Sequence, residues 1–195
     1  MKRRTLGIGI LLAPTLALLV GTSGVVQAET AIAAEAVAYK AVARVKLRVV
    51  VPRFLHFRVG AAGRVDTLTF EPAADAVGDR RSVPGSGGKT DGGSAADVEL
   101  RSNAGPITIT EDNDGGVGGL GMGGPISLSD VAAQSDSAAL QAPQLTDSGG
   151  NAISVPLTGG DITERRATWT YHYSNRRVVA AGTYRAQIVY TAVSP

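Results

Sequence analysis

The sequence contains no cysteine in its 195 residues. This absence excludes disulfide bonds, a lipid-modified N-terminal cysteine, cysteine nucleophiles and cysteine-based metal sites. There are also one tryptophan and two histidines, and aromatic residues make up 5% of the chain. A domain built from this sequence must therefore be stabilised by side-chain packing alone.

The first 28 residues have the three-part pattern of a cleavable signal peptide. Basic residues at positions 2–4 precede an apolar stretch, Leu6–Val20, which Pro14 interrupts, and small residues end at Ala28. The alternative is a retained membrane anchor, but a spanning helix needs roughly 20 unbroken apolar residues. We therefore expect cleavage before Glu29 and export to the periplasm, the cell surface or the medium.

Loss of this leader changes the charge of the protein. The full chain has a formal charge of +2, whereas residues 29–195 hold 16 basic and 17 acidic residues, a charge of −1. We therefore expect no nucleic-acid partner. No second apolar span follows, so we expect no stable membrane anchor after cleavage. The 167 remaining residues suit one domain.

Alternation of apolar and polar residues dominates the rest of the chain. In Ala43–Val51, the side chains of Val45, Leu47, Val49 and Val51 share one face, which predicts a half-buried strand. Other predicted strands are Phe54–Val59, Val65–Glu71, Ala96–Arg101, Pro106–Glu111, Ala167–Ser174 and Gly182–Val193, with weaker candidates at Pro125–Leu128 and Ile153–Leu157.

Short, regularly spaced strands predict an all-β fold, an immunoglobulin-like antiparallel β-sandwich over residues 42–195. Residues 29–41 are alanine-rich and form an N-terminal arm that is a tail, a short helix or a mobile segment. One helix is predicted, at Asp130–Gln141. The last two strands are predicted to pair as a hairpin, and the long loops are Ala73–Ala95 and Asp112–Gly124.

Motifs for catalysis and nucleotide binding lack their required context. Gly116–Gly121 matches G-x-G-x-x-G, but no strand–helix unit surrounds it. Gly88-Lys89-Thr90 lacks the phosphate-loop glycine five places earlier, where Val83 stands. The sequence also has no G-x-S-x-G elbow. We therefore expect a non-enzymatic protein with no catalytic residues and no cofactor.

Metal binding has weak support from the sequence. Residues 111–115 offer two or three carboxylates close together, whereas calcium takes six to eight oxygen ligands, so a solvated acidic turn is favoured and calcium binding stays open. His56 and His172 lie on the polar sides of their strands, and two ligands rarely suffice for a metal. We expect no metal site.

Trp169, Tyr171 and Tyr173 alternate on one face of a predicted strand. Two interpretations remain open. The rings fill the core between two sheets, or they form an exposed platform that binds a sugar or another ligand.

The final strand resembles the C-terminal strand of chaperone–usher pilin subunits. It opens at Gly182, and alternate residues then point to one face. The resemblance implies that an assembly chaperone grips this strand and that an arm within Ala34–Val51 is donated to the next subunit by strand addition. The chain departs from that family in lacking a disulfide and in having Ser194 as its penultimate residue. The implied assembly residues are Gly182, Tyr184, Ile188 and Tyr190.

The same ending also resembles WxL-type cell-surface domains, since Gly182-Thr183-Tyr184 precedes an alternating strand and a terminal proline. The W-x-L motif itself is replaced by Trp169-Thr170-Tyr171, one strand earlier. A complete immunoglobulin-like sandwich can end in this way too. The expected function is a structural or adhesive, fimbrial-like subunit of the cell surface that pairs with copies of itself or related subunits. The alternative is a soluble extracytoplasmic carbohydrate- or ligand-binding module.

Overall fold

The computed structural model describes residues 41–88, 93–113, 118–121 and 123–195. The expected signal peptide, residues 1–28, and residues 29–40 of the arm lie outside the described residues. The strands of the described ranges are β1 (Leu55–Val59), β2 (Leu68–Phe70), β3 (Val83–Gly87), β4 (Ala95–Ser102), β5 (Ile107–Asn113), β6 (Val131–Ser135), β7 (Ala152–Val155), β8 (Thr163–Tyr173) and β9 (Ile188–Val193).

These strands form two antiparallel sheets. The larger has the order β1-β4-β8-β3-β2, and β6 also pairs with β8; the smaller has the order β7-β5-β9. In the larger sheet, β4 and β8 pair over eight residues, from Ala95 opposite Thr170 to Ser102 opposite Thr163. The prediction of an all-β, sandwich-like fold is confirmed.

The core lies between the two sheets and is built from alternate residues of their strands. Leu100 of β4 and Ile109 of β5 are completely buried, and Val98 and Ile107 are almost so. Successive side chains of a strand point to opposite faces, so each of these strands contributes every second residue to the core. The alternation read from the sequence for β4 and β5 therefore corresponds to real burial.

The strand predicted at Ala43–Val51 is wrong. Residues 41–54 belong to no strand, and the apolar row is exposed, with 70% of Val45 and 89% of Leu47 accessible to solvent. Residues 41–51 belong to a different unit of the chain from Pro52–Pro195. Alternation makes a segment suitable for a sheet, but a strand also needs a neighbouring strand, and this segment pairs with no strand of the described residues.

The helix predicted at Asp130–Gln141 is also wrong. A short 3-10 turn, Leu128–Asp130, leads directly into β6, which pairs with β8. Ala133 is buried in the core. Pairing with a long neighbouring strand outweighs the weak helix propensity of an alanine-containing segment.

Three further predictions differ from the structure. β9 begins at Ile188 rather than Gly182, and β8 and β9 lie in different sheets, so they form no hairpin. The predicted loop Ala73–Ala95 contains β3. The weak strand candidate Pro125–Leu128 contributes one isolated bridge, between Leu120 and Ile126. The remaining predicted strands are present with shifted ends.

Trp169 connects both sheets and the segment after β6. Its side chain has no exposed surface, and its indole Nε1 donates a hydrogen bond to the carbonyl of Leu140 (3.0 Å). Its ring meets that of Tyr190 on the opposite sheet edge to face, with centroids 5.1 Å apart. One side chain of β8 therefore contacts both β9 and the Leu140 segment.

Replacing this tryptophan tests the arrangement. We expect Trp169→Ala to lower the free energy of unfolding by about 3–5 kcal/mol, because a large buried ring leaves a cavity. Trp169→Phe, which keeps a ring but removes the hydrogen bond to Leu140, should cost less. Urea denaturation followed by far-UV circular dichroism measures both, and a loss below about 1 kcal/mol for the alanine variant would contradict this role.

Candidate functional site

β9 is an edge strand, and this edge is the candidate site. β5 pairs with one side of it over six residues, from Ile188 opposite Asn113 to Val193 opposite Thr108. In the described part of the chain no strand lies on the other side. The unpaired N–H and C=O groups of such an edge are a template for a further strand.

The inner face of β9 is only partly covered. Ile188, Tyr190 and Ala192 pack against the core but are half-buried, whereas Ile107 and Ile109 of the neighbouring β5 are essentially inaccessible. The outer face, with Val189, Thr191 and Val193, carries no charge. An added strand would therefore meet an apolar row on the inner face of β9 and an uncharged row on its outer face.

Tyr190 anchors β9 to the opposite sheet. Its hydroxyl lies 3.2 Å from that of Tyr171 on β8. Burial raises the pKa of Tyr171 to about 12. Burial, with further contributions from Tyr171 and Glu111, also raises the pKa of Tyr190 well above its ordinary value. Both hydroxyls are therefore neutral hydrogen-bonding groups across the physiological pH range.

The aromatic row proposed as a ligand platform lies in the core. Trp169, Tyr171 and Tyr173 are 0–7% exposed, and all three belong to the hydrophobic cluster between the sheets. Stacking on a sugar needs an exposed ring face. The arrangement found is thus the core-filling alternative, and these rings offer no platform.

Two of the implied assembly residues lie before β9 rather than on it. Gly182 is exposed, a Cβ added there would lie 3.9 Å from the Tyr184 ring, and its backbone does not require glycine. The Tyr184 hydroxyl donates to the carbonyl of Ala180 (2.6 Å), and the ring packs against Gly121. Of the four residues that the resemblance implies, Ile188 and Tyr190 lie on the edge strand.

The two histidines are far apart. His56 pairs with Arg101 across β1 and β4, and Arg101 pairs with Glu164 of β8. His172 lies eight residues further along β8, about 26 Å away at strand spacing. In the described ranges no group of three or more histidine, aspartate or glutamate side chains is placed to hold a metal ion.

The acidic segment after β5 is partly internal. Glu111 belongs to β5 and is completely buried; one carboxylate oxygen, Oε1, accepts from the Thr146 hydroxyl (3.2 Å), and Oε2 has no hydrogen-bond partner. Asn113 is buried beside the same strand end. Residues 114–117 lie outside the described ranges. Glu111 is therefore a polar group of the core rather than a carboxylate on a solvated turn.

A shallow depression lies on the outer face of the larger sheet. Glu99, which lines it, is paired with Arg58 (3.1 Å) and Arg166 (3.2 Å). Hydrogen bonds from Arg166 and Arg58 lower the pKa of Glu99. Two partly exposed arginines share this one carboxylate, so the depression has the character of a surface ion-pair network.

The separate segment Ala43–Val51 also exposes an apolar row. Its apolar row, Val45, Leu47, Val49 and Val51, is 70–89% exposed, and Arg44, Lys46 and Arg48 alternate with it. Such a row is normally buried in a folded protein, because burying each valine or leucine side chain contributes about 1.5–3 kcal/mol.

Two hydrogen bonds of Arg53 at one end of the sandwich could not be predicted from the sequence. Arg53, just before β1, donates through Nη2 to the carbonyls of Ala104 (2.8 Å) and Pro195 (3.3 Å). This contact places the start of β1 beside the end of β9. The two partners lie 51 and 142 residues after Arg53 in the sequence, and no local pattern indicates such a pairing.

The fold and site define an all-β sandwich with an exposed edge strand. Comparison of the chain with protein families, with curated proteins and with solved structures finds no match. No helix of the described residues has the length and hydrophobicity to cross a membrane.

The tyrosine pair predicts how stability depends on pH. Tyr171 ionises near pH 10 in the unfolded chain but only near pH 12 in the folded one, so its contribution is complete below pH 10 and is lost as the pH rises from 10 toward 12. We expect the free energy of unfolding to fall over this window. In the double variant Tyr171→Phe/Tyr190→Phe, the free energy of unfolding should fall less steeply over this window.

Chemical denaturation between pH 8 and 12 measures this dependence. Tyr184→Phe, which leaves the Tyr171–Tyr190 pair intact, is the matched control and should keep the wild-type slope. If the free energy of unfolding falls equally steeply with pH in the double variant and in the wild type, the pKa values of the two tyrosines are not raised in the folded state.

Proposed function

We propose that this chain is an exported, non-enzymatic structural subunit of the cell surface, which assembles with copies of itself by strand addition. The segment Ala43–Val51 of one copy adds to β9 of another. The observation that carries the proposal is the exposed apolar row of this segment, in a chain whose sandwich has an open edge. The signal-peptide pattern of residues 1–28 supports export.

Free-energy estimates favour binding of the segment to a sheet edge over binding through apolar contact alone. Burying four valine or leucine side chains contributes about 6–12 kcal/mol. Ordering a nine-residue backbone costs about 9–18 kcal/mol. Main-chain hydrogen bonds, each worth roughly 0.5–1.5 kcal/mol net, offset the difference, and only an unpaired strand supplies a row of them.

Charge favours β9 over β1 as the acceptor. The segment carries Arg44, Lys46 and Arg48 opposite its apolar row. Beside β1 these residues would lie next to Arg58 on the outer face. Beside β9 they would lie next to the uncharged row that includes Thr191, while the apolar row covers half-buried Ile188 and Tyr190.

The alternative function, a carbohydrate- or ligand-binding module, was suggested by a row of aromatic rings that could form an exposed platform. The three rings that would have formed its platform fill the core, and the outer depression is occupied by paired charges. No other observation on the described residues favours this alternative.

Substitutions at two neighbouring residues of the segment test the proposal. We expect Leu47→Asp to weaken self-association at least roughly 100-fold, because it places a carboxylate in an apolar interface. Lys46→Asp, on the opposite face, should change it by less than about threefold. Sedimentation equilibrium or size-exclusion chromatography with light scattering on residues 29–195 measures the association.

Circular dichroism on both variants should match that of the wild type, since neither residue packs in the sandwich core. A wild-type protein that stays monomeric at high concentration, or an association that Leu47→Asp leaves unchanged, would rule out assembly through this segment.

A further inference from the structure

We propose that the end of β5 binds one calcium ion through the Glu111 carboxylate, the Asn113 amide oxygen and the backbone carbonyl of Asp147. All three residues belong to the unit Pro52–Pro195. The inference goes beyond the proposed assembly and does not depend on it. It follows from two buried side-chain oxygens without hydrogen-bond partners and from the charge of the carboxylate.

Glu111 and Asn113 lie on the inner face of β5. They are two positions apart in the strand, so both side chains point toward the core, from Cα atoms about 7 Å apart. Glu111 is completely buried, and 7% of Asn113 is exposed. Neither Oε2 of Glu111 nor Oδ1 of Asn113 has a hydrogen-bond partner among the described residues. Buried polar atoms are almost always satisfied, so these two oxygens indicate a bound ion, a proton or a water molecule.

The loop of residues 146–151 covers the same end of β5. The Thr146 hydroxyl donates to Oε1 of Glu111 (3.2 Å), and Nδ2 of Asn113 donates to the carbonyl of Asp147 (3.5 Å). The backbone N–H and C=O of Glu111 also bond to the end of this loop, at 2.9 and 2.8 Å. Because the two side chains contact consecutive loop residues, their unpartnered oxygens face one region between β5 and the loop. The Asp147 carbonyl adds a third oxygen to it.

The buried carboxylate favours a cation over a water molecule. No ion pair of the described residues includes Glu111. Its cross-strand neighbour on β9, Tyr190, carries no positive charge, and the Tyr190 hydroxyl lies beside that of Tyr171. An ionised carboxylate inside a protein is strongly disfavoured unless a positive charge compensates it. A water molecule supplies hydrogen bonds but no charge, whereas a cation supplies the charge and attracts the Asn113 oxygen as well.

Calcium suits this set of donor atoms. It binds carboxylate, amide and backbone carbonyl oxygens together and completes its six to eight ligands with water molecules. The set contains one carboxylate, so it differs from a group of three charged side chains, which the described residues lack. Asp112, between the two buried residues, points to the outer face and is exposed. The proposed ion therefore lies inside the end of the sandwich rather than on a solvated acidic turn.

Calcium titration of residues 29–195 tests the site directly. After metal ions are removed with a chelator, isothermal titration calorimetry should show one calcium ion per chain. The expected dissociation constant is about 10⁻⁴–10⁻³ M, the range of extracellular calcium modules. Terbium(III), which replaces calcium, gives a second readout. Tyr190 lies directly opposite Glu111, so excitation of its ring should sensitise the luminescence of bound terbium, and added calcium should reduce it.

Two adjacent residues of β5 supply the variant and its matched control. Glu111→Gln removes one charge, keeps the side-chain volume and retains an acceptor for Thr146, and it should weaken calcium binding at least roughly tenfold. Asp112→Asn removes one charge from the exposed face and should change the affinity by less than about threefold. Asn113→Ala, which removes the amide oxygen, should also weaken binding at least roughly tenfold. Circular dichroism without calcium checks that each variant is folded.

The outcomes separate the buried site from its alternatives. Weakened binding in Glu111→Gln, with normal binding in Asp112→Asn, supports the proposal. A wild-type chain that binds no calcium up to about 10 mM would overturn it and leave a proton or a water molecule as the partner of the two oxygens. Binding that Asp112→Asn removes and Glu111→Gln retains would overturn it too. If Glu111→Gln does not fold, an unchanged affinity in Asn113→Ala contradicts the proposal in its place.

Discussion

The contact between Trp169 and Tyr190 joins the two sheets, and the rest of the sandwich depends on it. Trp169 projects from β8, the strand that pairs with β4, β6 and β3, while Tyr190 projects from β9. The same indole holds the carbonyl of Leu140, and the Tyr190 hydroxyl meets that of Tyr171. A chain without disulfides thus uses aromatic rings where many secreted domains use a covalent cross-link.

This anchoring explains why an edge strand can remain open and still be ordered. β9 has one hydrogen-bonded neighbour, β5, and its position is set instead by Tyr190 reaching into the core. The opposite side of β9 is then left for another strand. In the proposed function, that strand is the segment Ala43–Val51, whose apolar row has no cover in the described structure.

Several features were predictable from local sequence, and others were not. The alternation in β4, β5 and β8 is strong enough to indicate strands and their inner faces, and it does so correctly. The helix predicted at Asp130–Gln141 and the strand at Ala43–Val51 show the limits of such patterns. β6 forms because it pairs with β8, whereas residues 41–54 belong to no strand although they alternate in the same way.

The sequence by itself determined the all-β class, the lack of cross-links, the expectation of export and the alternating character of the segment before Pro52. Only the tertiary structure decided that Trp169, Tyr171 and Tyr173 point into the core, that β8 and β9 lie in different sheets, and that Arg53 meets the end of the chain. The reason is physical: alternation reports that one face of a strand is apolar, but which surface covers that face depends on contacts between residues far apart in the chain.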